Sequence, residues 1–222
     1  MRLLTLPGVF KPRSDGWLLA AVAGVLAPGR SCLDLFTGSG VVAVTSALAG
    51  ARSVTVVDVS RRAVFAARLN ARLNGASVTA RRGDLVEPVA GARFDLITAN
   101  PPYLPGADEL PARGSTRAWE GGRDGRRLLD RLCREAHGAL TPAGILLLVQ
   151  SSVNGEAETI ELLREGGLEA RVAARRRGPL GPLLAARRER IPQRRLLADG
   201  GEEILVIEAR QPVSRSGGAG TR

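Results

Sequence analysis

The chain has 222 residues, 44 % hydrophobic and 24 % charged, the size and balance of one well-buried globular domain. No apolar run is long enough to span a bilayer, and the apolar core of the N-terminus is too short for a secretory signal, so the expected location is cytoplasmic. Formal net charge is +10 and Lys11 is the only lysine; the arginine excess fits a polyanionic partner or an arginine-favouring coding bias equally well.

In chain order, Ser14 and Asp15 open DGWLLAAVAGVL, which predicts a helix capped by Ser14 and ending near Pro28-Gly29. SCLDLF (31–36) predicts a strand, TGSG a turn, and VVAVTSALAG a helix closed by Gly50. SVTVVD (53–58) is a second strand, and RRAVFAARLNARLN (61–74) has helical spacing up to Gly75. VTAR (78–81) and FDLITA (94–99) are further strands, and a polar, Gly-rich loop runs to about Gly125. RRLLDRLCREAHGAL predicts a helix with Leu128, Leu129, Leu132, Ala136 and Leu140 on one face. Pro142-Gly144 punctuates, and ILLLVQ is a buried strand. Residues 156–165 read as helix, 168–175 as strand, 175–195 as a basic Pro/Gly-punctuated segment and 202–210 as the last strand. QPVSRSGGAGTR (211–222) reads as a disordered tail. Cys32 and Cys133 fall in apolar runs and read as buried free thiols. His137 is the lone histidine, read as a helix-surface residue, so no metal site is expected.

Alternating strands and helices imply βαβ units around a parallel sheet, and such sheets bind ligands beyond the carboxyl ends of their strands. The residues there carry the functional reading. After the first strand, Gly38-x-Gly40-x-x-Ala43 lets the backbone turn tightly toward a ligand and fits a nucleotide fingerprint. The second strand ends in Asp58, placed to accept from ribose hydroxyls, with a helix N-cap as the alternative. Asp84 follows the third strand, as an acceptor for an adenine amine or as a solvated turn residue. NAD and S-adenosylmethionine both suit these features.

The fourth strand separates them. It ends in Asn100-Pro101-Pro102-Tyr103. A planar –NH₂ is a poor nucleophile because its lone pair is delocalised. Two acceptors, the Asn100 side-chain carbonyl and the Pro101 backbone carbonyl, can hold its hydrogens and turn the lone pair toward a methyl donor. The prolines fix the backbone that carries them, and Tyr103 can stack on the planar group.

LDLFTGSG, VVDVS, GDL and NPPY, in this order and spacing, resemble the class I S-adenosylmethionine-dependent methyltransferases. The nearest likeness is to the HemK/PrmC-like release-factor glutamine methyltransferases, which methylate the glutamine of a Gly-Gly-Gln motif. GVFKPRSDGWLL (8–19) and RAWEGGRDGRRLLDR (117–131) resemble the short branch of that family, without its N-terminal helical domain. The resemblance covers roughly residues 7–155. It implies an α/β Rossmann-like fold with a mostly parallel seven-stranded sheet and helices on both faces. It divides the chain into an N-terminal segment and helix (1–30), a methyltransferase domain (31–210) and the tail.

By the same resemblance Asp34, Thr37, Gly38 and Gly40 would frame the methionine part of the cofactor. Asp58 with Val59 would hold the ribose, Asp84 with Leu85 the adenine, and Asp15 would close the pocket. Asn100, Pro101, Pro102 and Tyr103 would hold the acceptor. Phe36 stands where the family usually has a small residue, often glycine, and would narrow the cofactor loop or pack beneath it. The implied partners are a release factor or similar translation protein and a small zinc-binding activator subunit. The 175–195 segment adds an RNA-contacting face, a partner face or a solvated loop as readings. The alternative functions are an RNA or DNA amino-methyltransferase, a non-catalytic S-adenosylmethionine binder and, most distantly, a dehydrogenase.

Overall fold

The computed structural model describes residues 1–109 and 115–212. Seven strands, β1 (Ser31–Leu35), β2 (Ser53–Asp58), β3 (Thr79–Arg82), β4 (Phe94–Ala99), β5 (Leu140–Ser151), β6 (Glu169–Gly178) and β7 (Glu202–Arg210), form one sheet in the order β3-β2-β1-β4-β5-β7-β6. The pairs from β3 to β5 are parallel, and β7 runs antiparallel between β5 and β6. The helices are α1 (Ser14–Leu26), α2 (Val41–Leu48), α3 (Arg61–Leu73), α4 (Arg127–Glu135), α5 (Glu156–Glu165) and the single turn α6 (Pro182–Ala185).

Strand side chains alternate between two cores, as a pleated strand buried on both faces requires. Cys32, Val56, Leu96, Ile145, Leu147 and Val149 face α1 and α2. Leu33, Leu35, Ile97, Leu146 and Leu148 face α4 and α5, with Leu129, Leu132 and Leu163 packed on them. Both cysteines are buried free thiols, as expected, and burial raises both above the ordinary thiol range.

The expected α/β class and strand order of elements hold, and the differences are local. Ser14 lies inside α1; Arg13 is the N-cap and no side chain caps the helix. The helix after Gly125 stops at Glu135 and turns into a 3₁₀ segment holding His137, half-buried rather than on a helix surface. Leu140 begins β5, so Pro142-Gly144 lies within a strand instead of before it. Most of the expected tail lies outside the described residues. The 175–195 segment is not simply a loop. It extends β6, forms α6 and two 3₁₀ turns, and buries Leu184 and Ile191 against Tyr103, Leu104 and Val153 in a third small core.

Sheet register positions the site. Leu35 pairs with both Val57 and Ala99. The residues that follow, Phe36, Asp58 and Asn100, therefore leave the sheet at one level. The strand order reverses between β1 and β4, the switch point at which open α/β sheets take ligands.

Candidate active site

A cavity of about 1050 Å³ opens over this switch point. Its walls come from the ends of β1, β2 and β4, from residues 8–16, from Arg117–Glu120 and from α6. Of the residues singled out in the sequence, Asp15, Asp34, Thr37, Gly38, Asp58, Val59, Asp84, Asn100, Pro101, Pro102 and Tyr103 all line it.

Gly40 and Leu85 do not line it. Gly40 (φ +80°) is the N-cap of α2, and a Cβ there would lie 2.8 Å from the Ala67 Cα. That glycine permits α2 to pack on α3. The Leu85 side chain is buried in the α4–α5 core. Packing accounts for the Gly40 that the nucleotide fingerprint singled out and for the Leu85 that the resemblance placed at the adenine.

At the end of β1 the Asp34 carboxylate is buried, accepting from Thr37 Oγ1 at 2.6 Å and Thr98 Oγ1 at 2.7 Å. Burial outweighs those bonds and raises its pKa to about 6. Phe36 follows with φ +56°, a left-handed conformation that explains why glycine suits this position. Phe36 packs against the α4–α5 core and also lines the cavity, so it lies beneath the loop and at the cofactor space together. Gly38 (φ +53°) then turns its N–H toward Asp58 Oδ2 at 3.1 Å.

Asp58 thus ties the β1 turn to the end of β2. Its Oδ1 accepts from the Ser60 N–H at 2.8 Å, and burial raises its pKa. The helix N-cap here is Ser60, which accepts from the Ala63 N–H, so Asp58 is left facing the cavity. Asp84 lines the cavity with its carboxylate held by Arg131 at 2.9 Å.

At the end of β4, Asp15 meets two residues more than eighty positions away in sequence. The buried Asp15 Oδ2 accepts from Tyr103 Oη at 2.9 Å and from Asn100 Nδ2 at 3.4 Å, while Oδ1 accepts from the Gly16 N–H at 2.7 Å. A carboxylate only accepts, so the Asn100 amide must present Nδ2 to Asp15, which leaves its carbonyl oxygen as the outward acceptor. Burial and the neighbouring Asp15 push the Tyr103 phenol well above its ordinary range, so it stays a donor.

Sequence reasoning missed the packing behind this loop. Asn154 Nδ2 donates to the Tyr103 carbonyl at 2.7 Å. A Cβ at Gly121 would sit 2.5 Å from the Pro102 carbonyl oxygen, and one at Gly125 (φ +77°) would collide with that of Tyr103. The GG-x-x-G spacing of 121–125 was the available signal. Trp119 packs on the same small core and meets Phe10 with ring centroids 6.3 Å apart.

The residues present fit S-adenosylmethionine. The cavity holds a nucleoside-sized group with room for an acceptor side chain. Asp58 spends each oxygen on one backbone N–H and keeps a further lone pair on each for hydroxyl donors.

Comparisons with known proteins agree. Residues 1–114 match the model of the methyltransferase small domain family. A Methanocaldococcus jannaschii protein, provisionally named protein N5-glutamine methyltransferase, is 36 % identical over 80 % of this chain and 90 % of its own. The mouse methyltransferase HEMK2 is 33 % identical over 74 % and 82 %. The release factor glutamine methyltransferase of Bordetella pertussis is 38 % identical over 73 % of this chain and 63 % of its own. Among solved structures, the E. cuniculi Mtq2–Trm112 complex, responsible for methylation of the eRF1 termination factor, superposes with TM-score 0.64 at 22 % identity over 92 % of this chain and 99 % of that one. The T. thermophilus 16S rRNA N2 G1207 methyltransferase, solved with AdoMet and guanosine, gives TM-score 0.62 at 22 % identity over 96 % and 49 %.

Proposed function

This chain belongs to the methyltransferase small domain family and, within it, to the HemK/PrmC-like release-factor glutamine methyltransferases, and from that membership we propose that it methylates a glutamine side-chain amide of a peptide-chain release factor. The single observation that carries the chemistry is the Asp15–Asn100–Tyr103 constellation on the cavity wall.

S-adenosylmethionine, when bound, supplies an already activated methyl group, so the protein's main task is positioning. Asp58 and Val59 would hold the ribose, and Asp84 the adenine amine beside its Arg131 partner. Asp34, Thr37 and Gly38 would frame the methionine portion. Asn100 Oδ1 and the Pro101 carbonyl would accept the two hydrogens of the glutamine amide and aim its lone pair. Asp15 fixes the Asn100 amide and the Tyr103 ring in that pose. As the nitrogen gains its methyl group it becomes acidic, and the proton can leave afterwards, so no strong base is needed before transfer.

Among the described residues no helix is long and apolar enough to cross a membrane. The proposed place of action is the cytoplasm, where translation factors work. The matched Mtq2 is solved with Trm112, so a small activator subunit is part of this proposal.

The test uses purified protein, methyl-labelled S-adenosylmethionine and a cell extract from a compatible host, with and without a co-expressed small partner. The sample is split between protease and nuclease. Label lost to protease alone, in a band of release-factor size, is expected. Label lost to nuclease would replace this reading with base methylation.

A further inference from the structure

The +10 charge is not spread evenly, and one cluster of it without ion pairs lies where the sequence did not place it. In the 175–195 segment, Arg175 pairs with Glu156 and Glu203, Arg177 with Asp199, Arg187 with Glu120 and Arg195 with Glu158. Arg188 and Arg190 donate to backbone carbonyls of Gly200 and Gly106. Among the described residues Arg176 and Arg194 make neither kind of bond, so four of the eight arginines in this segment meet a carboxylate.

The edge of the sheet formed by α3 and β3 is different. α3 carries no acidic residue. Arg61, Phe65, Arg68 and Arg72 are all exposed, and their spacing of four, three and four residues puts them within about 60° of arc on one face of the helix. The stripe is about 16 Å long at 1.5 Å per residue. Beside it, β3 is the edge strand, paired on one side only, and exposes Arg81 and Arg82. Arg61, Arg68, Arg72 and Arg81 make no ion pair among the described residues. Arg62 and Arg82 donate only to the carbonyls of Pro7 and Val59, which leaves their charge unbalanced. The nearest carboxylates in sequence are Asp58, bound by backbone N–H groups, Asp84, taken by Arg131, and the exposed Glu87. Phe65, 60 % exposed, stands in the middle of the stripe.

We infer that this α3–β3 face binds RNA. A row of guanidinium groups matches phosphates bidentately, and an exposed ring among them is a stacking platform for an unpaired base. A protein partner fits less well. Interface centres are depleted in charge, whereas here six arginines surround only Phe65 and Leu73 as exposed large apolar groups. The stripe begins at the mouth of the cavity, which Arg61 and Arg62 line. RNA held along α3 would keep the enzyme beside RNA-bound acceptors without entering the active site. The choice of RNA over DNA rests on the proposed translation-factor acceptor.

The test is fluorescence anisotropy with a labelled single-stranded RNA of about twenty nucleotides, titrated with KCl, on the full chain. Arg68→Glu/Arg72→Glu/Arg81→Glu is compared with the charge-matched control Arg134→Glu/Arg176→Glu/Arg194→Glu. Neither set touches the cavity. The α3–β3 variant is expected to lose at least about tenfold in affinity and to flatten the slope of log affinity against log salt by about 2, with the control far less affected. Phe65→Ala, which changes no charge and exposes no core, should lose about fivefold or more on the same RNA. Three results would overturn the inference: equal losses in both charge variants, competition by polyglutamate as strong as by RNA, or tighter binding to duplex DNA. Methyl transfer is not read in any arm, so a wrong acceptor and a wrong RNA face fail separately.

Discussion

Asn100 and Asp58 do different work at the level of single residues, and their variants should separate. Asn100→Ala removes an acceptor for the methyl-receiving group, so transfer should fall by roughly a hundredfold or more while cofactor affinity changes little. Asp58→Ala removes a carboxylate that organises the Gly38 turn and faces the cavity, so cofactor affinity should fall first, by about tenfold. Calorimetric binding and single-turnover transfer on the same preparations check both, and an active Asn100→Ala enzyme contradicts the mechanism. These two residues were legible because a strand end and a four-residue motif are local. The grip of Asp15 on Asn100 and Tyr103 was not, because it joins positions more than eighty residues apart. The family resemblance suggested a pocket-closing acid and gave no hint of the two donors it orders.

Asp34 carries a pH prediction of its own. Its folded pKa of about 6 stands above the ordinary carboxyl value of 3.8, so between these the folded state holds the proton more firmly than the unfolded chain. Its contribution to stability therefore falls as pH rises from about 4 to about 6 and is constant above, a change on the order of 3 kcal/mol. The difference between urea melts of wild type and Asp34→Asn, taken without cofactor across that window, isolates this group. A difference independent of pH would contradict the burial argument.

Between elements, the acceptor loop is shaped by what packs behind it. Gly125→Ala would drive a Cβ into the Tyr103 carbonyl at a positive φ, displacing the NPPY turn from below. Transfer should drop at least about tenfold with cofactor affinity nearly kept, since Gly125 does not line the cavity. The same kinetic and calorimetric pair checks it. The strands and the helices α1 to α5 were legible from apolar periodicity and glycine stops, which are strong in long elements. The cavity's C-terminal wall was not. Its helix is four residues long, and its burial rests on Leu184 and Ile191 meeting Tyr103 and Val153 from distant parts of the chain. Polar content concealed this role, because half of the arginines of 175–195 find carboxylates elsewhere in the chain, Arg187 meeting Glu120 at 2.9 Å beside the cavity.

Across the whole molecule, four of the eight arginines of 175–195 meet carboxylates, whereas among the described residues none of the six on the α3–β3 edge does. Composition reported the total and could not report that division, because which arginines find acids depends on strand order. Family membership and the fold support the proposal that the cavity is the methyltransferase site, and the proposed acceptor is what most needs measurement. Purified protein, with a co-expressed small partner in a parallel sample, should be incubated with S-adenosylmethionine and a purified release factor from a compatible host. Peptide mass spectrometry then locates the modification. One added methyl on the side-chain amide of the glutamine in the Gly-Gly-Gln motif, absent with Asn100→Ala, is the predicted result. An unmodified release factor in both samples, with methyl groups recovered instead on RNA bases, would contradict the account.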